Sequence, residues 1–105
     1  TTAASAIVRA TLEHPLLARA RAAATRGDCR REAPVTMCAD DGALVEGIVD
    51  LAFRESTGWT VVDYKTDAEL DGTDALEIYR QQVALYAAMI ARATGETATP
   101  VLMRV

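Results

Sequence analysis

The 105-residue sequence is poor in the residues that build cross-linked proteins and membrane proteins. It has two cysteines and one histidine, and Cys29 and Cys38 show neither a C-x-x-C pair nor a Cys/His metal-ligand spacing. We therefore expect reduced thiols and a cytoplasmic protein. No apolar run approaches the roughly 20 residues that cross a bilayer, and no signal peptide is recognisable. We expect a soluble globular domain that does not contact a membrane.

Positive charge is also scarce, since 11 Lys and Arg face 15 Asp and Glu and the formal net charge is −4. An autonomous nucleic-acid-binding domain needs an excess of Lys and Arg to neutralise the phosphates, so this net charge argues against such a domain. The positive charge that is present is concentrated in one region, at Arg19, Arg21, Arg26, Arg30 and Arg31. This cluster suits a solvated helix face, and a local patch that contacts phosphate is the alternative.

The sequence has no G-x-x-x-x-G-K-[ST] loop, so we expect no ATP binding. Its length allows one domain with a modest core. The chain begins Thr-Thr and ends in the strand-like run Val-Leu-Met-Arg-Val. We therefore expect residues 1–105 to be a single domain cut from a larger protein.

What is present is an ordered series of helix, strand and turn patterns. The segment 3–25 is rich in Ala, Leu and Arg, which favour helix. It predicts two helices, 3–13 and 15–25, because Pro15 interrupts the hydrogen bonding of a continuous helix. Turn residues then separate three strand patterns: 29–37, 43–54 and 59–65.

A long helical pattern follows the third strand. We expect Asp74 to cap this helix with its side chain and Gly95 to end it. Residues 99–105 then predict a fourth strand. The expected fold is α/β: helices, a three-stranded antiparallel meander, a crossover helix and a fourth strand.

Two of the predicted strands carry an acid inside an apolar run, Asp50 in IVDLAF and Asp63 in WTVVDYKT. Burying a lone carboxylate is costly unless a cation or a hydrogen-bond network compensates it. Alternation is expected to put Ile48, Asp50 and Ala52 on one face of their strand, and Asp63 with Lys65 on one face of the next. An ordinary hairpin register would bring the two acids together.

Two close carboxylates repel each other unless a divalent cation holds both. Mg²⁺ prefers oxygen ligands and is commonly held by one or two carboxylates, with waters and phosphate oxygens completing its shell. The pattern therefore predicts a Mg²⁺ site at Asp50 and Asp63. Lys65 is placed to help activate a water and to offset charge on a scissile phosphate. A surface ion pair is the common alternative for an isolated D-x-K, but the apolar flanks favour a functional site.

Three motifs in order, GIVDL, VVDYKT and YRQQVALY, resemble the RecB/AddA-type nuclease domain of the PD-(D/E)XK superfamily, which occurs at the C-terminus of UvrD-like helicases. The resemblance implies a restriction-endonuclease-like core. It implies catalytic roles for Asp50, Asp63, Lys65 and Gln82. It also implies a metal held by the two acids and the main-chain carbonyl of Tyr64, with Mg²⁺ as the cofactor and Mn²⁺ able to substitute.

The same resemblance suggests residues that act around the metal ligands. Glu32 would contact the metal ligands rather than the metal, although a plain charge at the strand edge is an equal alternative. Tyr86 would do the same or pack against the sheet. Arg30 and Arg31 are candidates for DNA contact. Glu46 is expected to face solvent.

The family has a metal-binding histidine on an early helix, whereas His14 corresponds to a later one. We expect His14 to cap a helix or make surface contacts, and the missing histidine to lie outside this chain.

The implied function is that of a metal-dependent DNA exonuclease that hydrolyses phosphodiester bonds during repair or recombination, with DNA and the attached helicase domains as partners. The alternatives are a catalytically silent scaffold or DNA-guiding module in a helicase, and an unrelated small binding module.

Overall fold

The computed structural model describes residues 14–72 and 74–105. These residues form two helices and four strands: α1 (Pro15–Ala24), β1 (Cys29–Cys38), β2 (Leu44–Glu55), β3 (Gly58–Lys65), α2 (Ala75–Thr94) and β4 (Ala98–Arg104). Each element agrees with its sequence prediction to within a residue at either end. The predicted helix at 3–13 lies outside the described residues. Neither described helix is long and apolar enough to cross a lipid bilayer.

The strands form one sheet in the order β1-β2-β3-β4. β1, β2 and β3 pair antiparallel as consecutive hairpins, and β4 pairs parallel to β3. A parallel neighbour requires a crossover connection, and α2 provides it. The predicted α/β fold, a meander followed by a crossover helix and a fourth strand, is confirmed.

Each helix covers a different face of the sheet. The α1 face contains Leu16, Leu17 and Ala20 packed with Leu51, Phe53 and Val62. The α2 face contains Val83, Ala87 and Ile90 packed with Val49, Ala52 and Val61. The centre of the sheet is therefore buried on both sides, which is why its strands read as near-continuous apolar runs.

The helix ends test three predictions. His14 caps α1, because its Nδ1 accepts the N–H of Leu16 at 3.1 Å and Pro15 begins the helix. Gly95 ends α2 in the left-handed conformation, with φ 72°. The prediction for Asp74 is wrong: its side chain makes no capping hydrogen bond. Its backbone is already helical, whereas a capping side chain needs the extended conformation.

β2 and β3 pair only along part of their length. Their paired residues run from Glu55 opposite Gly58 to Leu51 opposite Val62. Upstream of Leu51, β2 pairs with β1 alone. We call the Glu55–Gly58 turn the closed end, and the opening between Asp50 and residues 63–65 the fork.

The prediction that Ile48, Asp50 and Ala52 share a face is wrong. Ile48 is 62% exposed, whereas Ala52 is buried on the α2 face together with Val49. Alternation slips here because the β1–β2 pairing is interrupted at Asp50 and at Glu32 opposite it. Glu32 has φ 47°, a left-handed conformation that breaks the regular pleat.

Candidate active site

Asp50 lies where β2 parts from β3, and its side chain points across the fork. Its Oδ2 accepts the backbone N–H of Tyr64 at 2.8 Å. That N–H would otherwise pair with the backbone of a continuing β2. The carboxylate therefore replaces a missing ladder partner, and the hydrogen bond holds Asp50 against β3.

Asp63 is the buried member of the pair, with 5% of its surface exposed. Its Oδ2 lies 3.0 Å from Lys65 Nζ, but the geometry is not that of a hydrogen bond, and this oxygen has no hydrogen-bond donor. Burial first, and then interaction with the Asp50 carboxyl, raise the pKa of Asp63 to about 6 against the lowering effect of Lys65. Burial of the ionised Asp63 side chain therefore lowers the stability of the folded protein.

Lys65 stands between Asp63 and α2. Its side chain is 14% exposed, and Nζ also lies 3.9 Å from Glu69 Oε2. Burial lowers the pKa of Lys65, but the interaction with Asp63 outweighs it and the pKa ends above its ordinary value. Lys65 is therefore an ammonium ion at neutral pH.

The oxygens at the fork fit a hard divalent cation. Asp50 and Asp63 supply carboxylates, and the buried Oδ2 of Asp63 lacks a donor. The carbonyl of Tyr64 faces the same opening, because N–H and C=O of one strand residue point to the same edge and the Tyr64 N–H points to Asp50. In the described ranges no group of three His, Cys, Asp or Glu side chains gathers in one place. Two carboxylates with a carbonyl still suit Mg²⁺, which retains several waters.

A cleft of about 460 Å³ opens beside Asp50, between α1 and the sheet. Its polar lining includes Arg21, Arg31 and Glu32, with Tyr64 on the β3 side. Among the described residues, Glu32 alone is a non-glycine with positive φ. Strained backbone of this kind clusters at functional sites. The structure thus places Glu32 opposite Asp50 and puts Arg31 in the lining of the same cleft.

The other predicted residues are exposed or make different contacts. Gln82 is exposed on α2. Tyr86 packs over Gly47, where an added Cβ would lie 2.7 Å from Tyr86 Cζ, so its ring belongs to the contact between α2 and the sheet. Arg30 donates to the carbonyl of Gly27 at 2.7 Å. Glu46 is exposed, as expected.

Sequence reasoning missed the surroundings of Lys65. The ring of Tyr79 lies under its ammonium group, 4.7 Å from Nζ to the ring centroid, and Glu69 flanks it. One signal was present in the composition, because Lys65 is the only lysine in the chain and every other cationic side chain of this kind is an arginine. Lysine and arginine differ in shape and hydration and are not interchangeable at every site, so the one lysine was a position to compare with its surroundings.

Comparison with known proteins decides the family. A family model described as the PD-(D/E)XK nuclease superfamily matches residues 2–105. The chain belongs to the PD-(D/E)XK nuclease superfamily. The resemblance inferred from the three sequence motifs is therefore confirmed, and the α/β fold is consistent with this superfamily's restriction-endonuclease-like core.

Relatives of this PD-(D/E)XK chain are named as the A subunit of an ATP-dependent helicase/nuclease. That of Desulforamulus reducens is 37% identical over 60 residues, 56% of this chain and 5% of the relative. That of Alkaliphilus oremlandii is 40% identical over 58 residues, which are 53% of this chain and 5% of the relative. That of Lachnoclostridium phytofermentans is 43% identical over 49 residues, which are 45% of this chain and 4% of the relative. The chain thus spans about one-twentieth of the length of these relatives.

Proposed function

We propose that this chain is the catalytic part of a divalent-metal-dependent deoxyribonuclease, an exonuclease domain within a helicase–nuclease that acts in DNA repair or recombination. The observation that carries the proposal is Asp63, a buried carboxylate with an oxygen that lacks a donor, beside Asp50 and Lys65. Superfamily membership and the names of the relatives support the reaction class.

The proposed roles follow from what each group can do. Asp50, Asp63 and the Tyr64 carbonyl would hold Mg²⁺, or Mn²⁺ in its place. When bound, such a cation supplies a Lewis acid that polarises the phosphate and eases the ionisation of water. Tyr64 keeps Asp50 directed at the site through its N–H. Lys65, an ammonium at neutral pH, offsets the negative charge that develops on the phosphate oxygens.

DNA and the attached helicase domains are the proposed partners. The relatives are named as helicase/nuclease subunits, and the cleft beside Asp50 carries Arg21 and Arg31. Arginines at this position suit contact with DNA phosphates next to the one that is cleaved. The proposed setting is the cytoplasm, where such a DNA-processing enzyme meets its substrate.

The test compares cleavage of linear and circular DNA by wild type and by Asp63→Ala in Mg²⁺ or Mn²⁺. We expect the substitution to lower cleavage at least about a hundredfold, since it removes a charge that acts in the transition state. Asp67→Asn is the matched control, because Asp67 lies close in sequence, pairs with Arg104 and is 82% exposed. Cleavage of linear DNA alone would support exonuclease action. Cleavage that survives in Asp63→Ala would refute the proposal.

The alternative is a catalytically silent module that guides DNA within a helicase. Two observations favour it: the described residues gather only two acidic side chains as ligands, and the net charge is −4. Under this alternative, Mg²⁺ or Mn²⁺ raises the Tm of wild type while no DNA is cleaved at any metal concentration.

A further inference from the structure

Lys65 is held by two acids and one aromatic ring. Its Nζ lies 3.0 Å from Asp63 Oδ2 and 3.9 Å from Glu69 Oε2. The centroid of the Tyr79 ring is 4.7 Å away. A cation at this distance over an aromatic face is attracted by the quadrupole of the ring. Asp63 thus holds the ammonium from β3, and Tyr79 holds it from α2.

Tyr79 reaches this position through the packing of its helix. Val83, one turn later on the same face, is buried against the sheet, and Ala87 and Ile90 continue the stripe. Tyr79 is half-buried where this stripe ends. Its hydroxyl makes no hydrogen bond in the described part of the chain. The contact with Lys65 therefore belongs to the ring face and not to the hydroxyl.

We propose that Tyr79 is a positioning residue that keeps the Lys65 ammonium beside Asp50 and Asp63 through the face of its ring. The inference rests on the proposed nuclease function. When Asp63 shares its charge with a bound cation, its attraction for Lys65 falls. The attraction of the ring is unaffected, because the ring carries no net charge. Tyr79 then becomes the main group that stops Lys65 from swinging towards Glu69 and solvent.

The kinetic test compares Tyr79→Phe with Tyr79→Leu. Leucine fills similar space but has no ring face, so kcat should fall about tenfold while KM for DNA stays within about twofold. Phenylalanine retains the face and should restore kcat to near wild type. Val83→Ala is the matched control, because it weakens the packing of α2 without touching Lys65. Equal loss in the phenylalanine and leucine variants, or equal loss in Val83→Ala, would overturn the proposal.

A second readout does not depend on cleavage. Lys65 is the only lysine in the 105-residue chain, so ¹³C-labelled lysine gives one set of side-chain NMR signals. The ε-CH₂ protons should show an upfield ring-current shift in wild type and Tyr79→Phe, and lose it in Tyr79→Leu. A wild-type spectrum without the shift overturns the contact. A wild-type protein that shows the shift but cleaves no DNA supports the contact and refutes the nuclease function instead.

Discussion

The two ends of the β2–β3 pair are built on opposite principles. At the closed end the charges are exposed and paired: Arg54 donates to Glu96 at 2.9 Å, and Glu96 also accepts the indole N–H of Trp59 at 3.0 Å. At the fork Asp63 is buried, and one of its oxygens lacks a donor. The closed end stabilises the fold. The fork holds a carboxylate that is costly to bury, and the Lys65 ammonium lies 3.0 Å from its Oδ2 as an ion-pair partner.

The largest effect is expected at the closed end, from Gly58→Ala. Gly58 has φ 122°, and an added Cβ would lie 2.6 Å from the carbonyl oxygen of Thr97. That oxygen accepts the N–H of Trp59 at 2.8 Å, so it cannot move freely. We expect a loss of about 3 kcal/mol or more in the free energy of unfolding, measured with urea.

Gly42→Ala is the control for this substitution. Gly42 also has positive φ, at 85°, but no atom lies within 4 Å of its added Cβ. It should cost only about 1–2 kcal/mol, the strain of the backbone conformation alone. Equal losses in the two variants would show that the contact with Thr97 contributes nothing to the closed end.

The next effect belongs to the fork and has the opposite sign, since Asp63→Asn should stabilise the metal-free protein. Folding raises the pKa of Asp63 from its usual 3.8 to about 6. The folded state therefore binds this proton more tightly than the unfolded chain, and the stability that the proton confers is complete below pH 4 and lost as the pH rises through 6. Asparagine stays neutral, so the variant should gain about 1–3 kcal/mol at pH 8.

Urea unfolding in EDTA between pH 4 and pH 8 checks this prediction. The difference between variant and wild type should be small at pH 4 and grow through pH 6. Added Mg²⁺ should raise the Tm of wild type and leave the variant unchanged. Parallel stability curves for the two proteins would show that the burial of Asp63 carries no such cost.

A smaller effect at the fork is expected from Glu32→Gly. Glycine adopts φ 47° without strain, so it should stabilise the protein by about 0.5–1 kcal/mol despite its greater freedom in the unfolded chain. Glu46→Gly is the control, because Glu46 is also an exposed glutamate but lies in the regular part of β2. That change should destabilise by about 0.5–1 kcal/mol. Destabilisation by both changes would mean that Glu32 is not strained.

Most of the fold was predictable because local patterns and tertiary structure agree. Apolar runs bounded by turn residues gave β1, β2 and β3 their limits, and Gly95 marked the end of α2. Asp74 misled because helix capping depends on backbone conformation, which residue type does not determine. The slip of alternation at Asp50 arises from a left-handed glutamate, and glutamate carries no sequence signal for that conformation.

The candidate site was predictable only within the strands. An acid is unexpected inside an apolar run, so Asp50 and Asp63 could be singled out together with the nearby Lys65. The structure brings the three side chains together. Their catalytic roles stay predictions. The ring of Tyr79 could not be placed over Lys65, because that contact depends on how α2 packs across the sheet.

The smallest effect is expected from Glu96→Gln at the closed end. The pH dependence of its stability should have the opposite sign to that of Asp63 at the fork. Hydrogen bonding to Arg54 lowers the pKa of Glu96 below its ordinary value. Stability from this pair is therefore present above the ordinary glutamate pKa and lost as the pH falls through the lowered one. The variant should melt slightly below wild type at pH 7 and together with it near pH 3, with Glu46→Gln as an exposed control. Asp63 loses its contribution as the pH rises, so the two ends should respond to pH in opposite directions. A Tm difference for Glu96→Gln that is constant from pH 3 to pH 7 would remove that opposition.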